Sequence, residues 1–349
     1  MFRPDSHVDQ VAAHLRDLLQ QGRWIERMPG ALKLEHEIGA SHTIIDRALR
    51  QLEKEGVLEN QGPGRRRRIV TRSAHTAKLK VRVLGYDDVL SPDLNQLISQ
   101  LQLAGHEASL ASKTLRELDM DPGKVKRFVH SNTAHAWVVV AGSRSLLEWF
   151  AGQAVPAFGL YGRSKGVDIA TAGPRKLPAI GQLVKRLTEL GHRRVVAILR
   201  REHRESPLGP VAQCILDQLN CLDIPTGDYN LPDWDETPED LQRMLGSLFK
   251  HTPPTALLVD EPAVFLAVRD HLARKGIHAP QQVSLSCLDQ LPAFHWQRPA
   301  ITHIAWDLNR LISHVVRWTN QVAKGKNLRR LKLVDSELVD GETIGPAPI

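Results

Sequence analysis

The sequence predicts two kinds of fold in one chain. An α+β helix-turn-helix with a β-wing stands at the N-terminus, and an α/β region with doubly wound parallel sheets follows. Three observations carry this. Between Met28 and Arg68 a short helix, a Gly39-Ala40-Ser41 turn and a second helix lead into a strand, a Gln61-Gly62-Pro63-Gly64 turn and four consecutive arginines. From Lys80 onward, short apolar strands alternate with amphipathic helices, as expected of parallel strands covered on both faces. The same rhythm restarts near Arg194, which predicts two successive blocks and hence two lobes.

The N-terminal elements follow from spacing. Residues 1–7 read as a loose tail. Val8, Val11, Ala12, Leu15, Leu18 and Leu19 make an amphipathic first helix closed by Gly22. A second helix from about His42 to Glu55 aligns Ile44, Ile45, Ala48, Leu49 and Leu52 in one apolar stripe. The Ser41 hydroxyl is expected to cap its first turn, and Gly56 to end it before a strand at Val57-Leu58. Its polar face carries His42, Thr43, Asp46, Arg47 and Arg50, and a helix of this size fits a DNA major groove. Arg65, Arg66, Arg67 and Arg68 sit on a Gly/Pro turn suited to phosphates or a minor groove. The plainer reading is a protein-interaction module with a solvated arginine run. Turn, cap, stripe and basic wing occur together, which favours the nucleic-acid reading. The candidate DNA contacts are Lys33, Ser41, His42, Thr43, Arg47 and Arg50, with the four wing arginines.

Bulk properties fit this division. A chain of 349 residues exceeds one small domain. The net charge is +7 and the pI about 9.4, which favours a polyanionic partner. Residues 1–77 hold 13 Lys and Arg against 10 Asp and Glu, and the balance turns negative without Arg65 to Arg68. The basic signal is therefore local. Cys214, Cys221 and Cys287 form no paired or ligand-spaced set, so a reducing cytoplasm is expected, with neither disulfides nor a metal. No apolar run approaches the ~20 residues of a membrane span, and no membrane partner is expected.

The division expected is a DNA-binding domain over 1–70, a polar linker over 71–79 and a two-lobed domain over 80–349. Lobe 1 would comprise about 80–192 and 293–325, and lobe 2 about 193–292 and 326–349. In lobe order, strands are read at 81–84, 107–110, 137–141, 155–160, 194–199, 256–260 and 283–288. Helices are read at 94–104, 146–151, 178–190, 211–219 and 263–275.

Two resemblances sharpen the expectation. Val11 to Gly22, Met28-Pro29 through Ser41, and Ala48-Leu49-Arg50-Gln51-Leu52-Glu53-Lys54-Glu55-Gly56-Val57-Leu58 resemble the gluconate-repressor (GntR) family of winged-helix repressors over about residues 8–70. Where that family carries DNA-contacting arginines, this chain has Leu32, His42 and Asp46. Residues 80–349 resemble the effector domain of the lactose/galactose-repressor (LacI/GalR) family. The motifs are Leu190-Gly191-His192-Arg193-Arg194-Val195, Pro254-Thr255-Ala256-Leu257, Gly276-Ile277-His278-Ala279-Pro280, Leu288-Asp289-Gln290 and Pro299-Ala300-Ile301-Thr302. This resemblance implies a type I periplasmic-binding-protein-like fold of two α/β lobes, a ligand in the cleft, and a homodimer. Glu261-Pro262, Ser206 and Thr171-Ala172-Gly173-Pro174 replace family elements, and Asp289 alone matches a position the family uses to bind sugar.

Ligands in open α/β sheets sit beyond the carboxyl ends of the strands. The candidate effector contacts there are Asp87, Ser91, Ser143, Arg144, Asp260, Glu261, Asp289, Gln290 and Trp306. Taken singly, each could be a solvated loop end or a helix cap. As a group they suit a sugar or related metabolite, while Arg144 could hold an anion bidentately. No nucleophile elbow, phosphate loop, HExxH or dinucleotide fingerprint is present, and no cofactor is expected. The expectation is a sequence-specific transcription regulator, a repressor, that binds double-stranded operator DNA under effector control. Two alternatives stand beside it. One is a ligand-independent DNA binder whose C-terminal region only dimerises. The other is a sugar- or phosphate-processing enzyme with a nucleic-acid module, in which Asp87-Asp88 would hold a metal.

Overall fold

Apolar side chains three and four residues apart build the first core. Ala12 and Leu15 of α1 (His7–Gln20), Leu34 of α2 (Ala31–Ile38), and Ile45, Ala48, Leu49 and Leu52 of α3 (His42–Lys54) are all buried against one another. The computed structural model describes residues 7–20, 23–24, 27–62, 65–69, 77–86 and 92–348. The chain divides into two compact units, residues 1–76 and 77–349.

In the first unit α2 stops because Gly39 takes a φ of 72° and its amide donates to the Glu35 carbonyl. Ser41 occupies the N-cap of α3, but its hydroxyl makes no capping bond. The tight turn brings the Glu35 carboxylate within 3.3 Å of the His42 amide, and that carboxylate accepts in its place. At the far end Gly56 has a φ of 70°, its amide donates to Glu53, and the Val57 amide donates to Leu52. These are the two bonds of a left-handed helix stop. The chain then forms β1 (Leu58–Glu59), which pairs antiparallel with β2 (Arg68–Ile69).

The second unit is built on ten strands in the order β4-β3-β5-β6-β7-β12-β11-β10-β9-β8. The first block holds β3 (Lys80–Leu84), α4 (Pro92–Leu103), β4 (Glu107–Leu110), α5 (Pro122–Ser131), β5 (Ala136–Val140), α6 (Arg144–Ala151), β6 (Ala157–Leu160) and β7 (Ala170–Arg175). The chain continues through α7 (Leu177–Glu189), β8 (Val195–Ile198), α8 (Arg201–Arg204), α9 (Pro210–Asn220), α10 (Pro238–His251), β9 (Ala256–Val259), α11 (Pro262–Arg274), β10 (Ser284–Cys287) and β11 (Thr302–Trp306). It closes with α12 (Leu308–Val322) and β12 (Leu331–Val339).

Within each block the strands run parallel. Two separate parallel sheets are not what forms, because β12 belongs to both blocks. Its residues 331–335 lie parallel to β7, and its residues 336–339 lie antiparallel to β11. The result is one mixed sheet with flanking helices. Continuous apolar runs such as Ala136-Trp137-Val138-Val139-Val140 are buried along their whole length, as a strand covered on both faces must be.

Trp137 is 1% exposed and packs its ring against Phe128 at 6.3 Å and Phe150 at 6.4 Å. Trp137→Ala should cost about 3–5 kcal/mol through lost burial and the cavity left behind. Urea unfolding of the second unit checks this, and wild-type stability would contradict the packing described.

Candidate functional site

The parallel strands of the second unit end in polar side chains that face one another. Tyr86 follows β3, Tyr161 follows β6, Lys176 follows β7, Arg200 follows β8, Asp260 and Glu261 follow β9, and Asp289 follows β10. Trp306 is the last residue of β11. The switch of partners in β12 sets the register here. Asp335 lies opposite Arg175 and Ser336 opposite Trp306, so Lys176 is delivered beside the Trp306 ring. Its ammonium stands 4.7 Å over that ring and 2.8 Å from the Asp289 carboxylate.

A second cation repeats the pattern. The Arg200 guanidinium lies 4.9 Å over the Tyr86 ring, 3.1 Å from Glu261 and 3.8 Å from Asp260. His203 Nε2 is 3.5 Å from the same Asp260 oxygen. The two clusters cross between the blocks. Tyr86 donates to Glu236 at 3.1 Å, Arg163 donates to the Glu202 carbonyl at 2.8 Å, and Arg116 donates to the Glu236 carbonyl at 2.6 Å. Gln290 supports the site indirectly, because its amide both donates to and accepts from the Trp306 backbone.

Electrostatics follow from burial and these partners. Burial opposes the charge of Lys176, yet Asp289 and then Asp260 outweigh it and raise its pKa. Burial likewise raises the Asp289 carboxyl against the pull of Lys176. Asp260 is held below the usual carboxylate range: burial opposes its charge, but His203, Arg200 and Lys176 together prevail. Burial first, then Arg200 and Lys176, lower the His203 pKa against the pull of Asp260. Burial pushes Tyr161 well above its ordinary range, so it keeps its proton.

Three of the six non-glycine residues with left-handed backbone among the described residues lie near this seam. Ala141, after β5, has a φ of 55°, Tyr161 a φ of 61° and Glu236 a φ of 57°. Left-handed backbone at a bulky residue persists only where the surroundings enforce it, and it gathers at sites. Among the described residues, Tyr161 Oη, Trp306 Nε1, Arg200 Nε, His203 Nδ1, Glu202 Oε1 and Asp260 Oδ2 are buried without an aligned hydrogen-bond partner. Arg200 Nε is within ion-pair distance of Glu261, but its N–H is not directed at it. Arg200 Nε and Asp260 Oδ2 still have ion-pair neighbours, so the penalty of an unmade bond, about 1–3 kcal/mol each, falls on the other four at most. A molecule bearing both donors and acceptors would satisfy them.

The structure gathers Asp260, Glu261, Asp289, Gln290 and Trp306 at this seam. Asp87 and Ser91 lie outside the described residues. Ser143 and Arg144 serve α6 instead: the hydroxyl accepts from the Leu146 amide, while the guanidinium binds Glu148 at 2.8 Å and the Lys165 carbonyl at 3.0 Å. Lys176, Arg200, His203, Tyr86 and Tyr161 join the seam without having been singled out by sequence. Only their position just past apolar strands hints at them.

In the first unit, Lys33, Ser41, His42, Thr43, Arg47 and Arg50 are all exposed, as are Arg65, Arg66 and Arg68. Arg67 differs. It is half-buried and bridges Asp46, 3.2 Å away, and Glu53, tying the hairpin to α3. Arg50 also pairs with Asp46 at 3.0 Å, and Arg68 with Glu59 at 2.9 Å. Arg65 and Arg66 are the wing cations that no carboxylate holds among the described residues.

Residues 184–344 match the profile of a periplasmic binding protein-like domain. Among solved structures the chain is similar to LacI-family transcription regulators. The regulator CcpA of Lactococcus lactis is 14% identical with a TM-score of 0.64, the match covering 76% of this chain and 99% of that one. A LacI-family regulator from Enterococcus faecium with bound ribose is 14% identical at a TM-score of 0.60, covering 76% and 98%. The Lac repressor dimer bound to operator and the anti-inducer ONPF is 16% identical at 0.60, covering 77% and 94%. At these identities the likeness establishes fold. No curated protein sequence matches the chain. Among the described residues no helix is long and apolar enough to cross a membrane, and no group of His, Cys, Asp and Glu could hold a metal ion.

His203 contributes one part of the pH dependence of stability, beside His192, His271 and His314, whose pKa values are also lowered. The folded pKa of His203 lies below the ordinary 6.5, so the unfolded chain binds the proton more readily. Its contribution is complete above that value and is lost as pH falls through it toward the folded pKa. Melting temperature should therefore decline on acidification below about pH 6.5, and His203→Gln should flatten that decline. An identical pH profile in the variant would contradict the assignment.

Proposed function

We propose that the chain is a DNA-binding transcription regulator, a repressor, whose second unit senses a small polyhydroxylated molecule such as a sugar. The observation that carries the reading is the set of buried, unsatisfied donors and acceptors between two blocks of a periplasmic-binding-protein-like fold, beside the Trp306 and Tyr86 rings. A hydroxyl both donates and accepts, so a polyol can meet Trp306 Nε1 and Asp260 Oδ2 with the same kind of group. Ribose in one structural relative and operator DNA in another support the two halves of this reading. The exposed polar face of α3, with His42, Thr43, Arg47 and Arg50, enters the major groove beside Ser41 at its N-cap and Lys33 of α2, and Arg65 and Arg66 meet phosphates. Two copies pair to engage the two halves of a palindromic operator. Effector binding changes the closure of the blocks and thereby the affinity for DNA. The protein acts in the cytoplasm as a regulator and not as an enzyme.

A second reading has one specific observation behind it. Lys176 and Arg200 already cover the aromatic faces a sugar ring would stack on, and Tyr86, Arg116 and Arg163 bridge the blocks with no ligand. A cleft filled by its own side chains suits a DNA binder that needs no effector.

A thermal shift across a panel of pentoses, hexoses and sugar phosphates separates the two. A ligand at 100 times its Kd stabilises by about 2.7 kcal/mol, a clear rise in melting temperature. Trp306→Ala should abolish that rise, and no shift across the panel would favour the second reading. On the DNA side, Arg65→Ala with Arg66→Ala should weaken binding to every sequence alike and flatten the salt slope by about 2. Loss of one preferred sequence alone would mean that the hairpin reads bases.

A further inference from the structure

Ten consecutive residues from Lys324 to Leu333, joining α12 to the start of β12, are exposed. Five of them are cations (Lys324, Lys326, Arg329, Arg330 and Lys332) and none is acidic. Arg329 pairs with Asp168 at 2.8 Å, whereas Lys324, Lys326, Arg330 and Lys332 have no carboxylate partner among the described residues. The dipole of α12 favours Lys324, but that effect fades within a turn and does not reach Arg330 or Lys332. The neighbouring face of α12 is positive as well. The His314 pKa is lowered by burial and then by Arg317, Lys332 and Arg310, cations that share its surroundings. An ordinary solvated surface intersperses both signs; a field of one sign repels itself and suits a polyanion.

Location narrows the choice of polyanion. Leu331 of β12 stands opposite Thr171, the second residue of β7, and β7, β6, β5 and β3 all run parallel to it. The basic segment therefore lies at the strands' N-terminal end, away from the seam at their C-terminal ends. Strand β3 begins at that same end with Lys80, so residues 77–79 carry the chain from the first unit into the second there, with exposed Lys78 among them. We infer that Lys324, Lys326, Arg330 and Lys332 form a second DNA-contacting surface, which grips backbone phosphates without reading sequence. This rests on the DNA-binding reading of the first unit. It adds that the sensing unit itself holds the nucleic acid, so a change in block closure acts on DNA through two surfaces.

The test compares full-length wild type, a variant carrying Lys324→Gln, Lys326→Gln, Arg330→Gln and Lys332→Gln, and a charge-retaining control with Lys324→Arg, Lys326→Arg and Lys332→Arg. Binding to a long mixed-sequence duplex is followed by fluorescence anisotropy across a range of salt. Each lost phosphate contact removes about 0.9 from the slope of log K against log salt, so the Gln variant should be flatter by about 3–4. The control should keep the wild-type slope. These exposed substitutions leave the cores untouched, and equal melting temperatures verify that. If wild type binds DNA and the Gln variant has the same slope, this inference falls while the regulator reading stands, and the patch is left to an acidic protein partner. If wild type binds no DNA at all, both fall.

Discussion

Strand β12 is the constraint on which the second unit depends. Nine residues hold two parallel blocks together by changing partner halfway, from β7 on one side to β11 on the other. Val334, just before the change, is 2% exposed and locks the crossing into the core. The switch fixes the end of β7 against the end of β11. Lys176 and Trp306 meet there because backbone pairing leaves them no alternative, and the Lys176–Asp289 pair then reaches β10. The site is thus a product of sheet register before it is a product of side-chain choice.

The chemistry at that seam is balanced between holding closed and making room. Two cation–aromatic stacks and several cross-block hydrogen bonds favour the closed arrangement. Buried polar atoms that make no aligned hydrogen bond among the described residues oppose it. A stacked cation is worth only about 0.5–2 kcal/mol, comparable to one unmade hydrogen bond. A ligand shifts such an equilibrium only by its differential affinity for the two arrangements. In the first unit Asp46 has an analogous organising part. It draws Arg67 inward and pairs with Arg50, which stays exposed, while Arg47, Arg65 and Arg66 face outward.

Much of the fold was legible because buried parallel strands announce themselves as short apolar runs. Ala136–Val140, Ala256–Val259 and Ser284–Cys287 lie within a residue of where periodicity puts them. The strand β7 was not, because Ala-Thr-Ala-Gly-Pro-Arg carries the turn residues of a loop and becomes a strand only through pairing with β6 and β12. Helix α5 opens on Pro-Gly and hides in the same way. For the site, Asp260, Glu261 and Asp289 stand just past readable strands and could be named from sequence, while Trp306 ends β11, a strand that periodicity did not mark. Lys176 could not be named, since it depends on β7. Ser143 and Arg144 occupy an equivalent sequence position yet turn to serve α6, a distinction made by local hydrogen bonds that no periodicity encodes.

The effector site proposed beside Trp306 is open to a direct test. The most direct measurement is the tryptophan fluorescence of Trp306, isolated as the difference between wild type and Trp306→Phe, during titration with pentoses and hexoses. A sugar bound beside the ring gives a saturable change in that difference for at least one member of the series. A difference signal that stays constant through the whole series would contradict the proposed site.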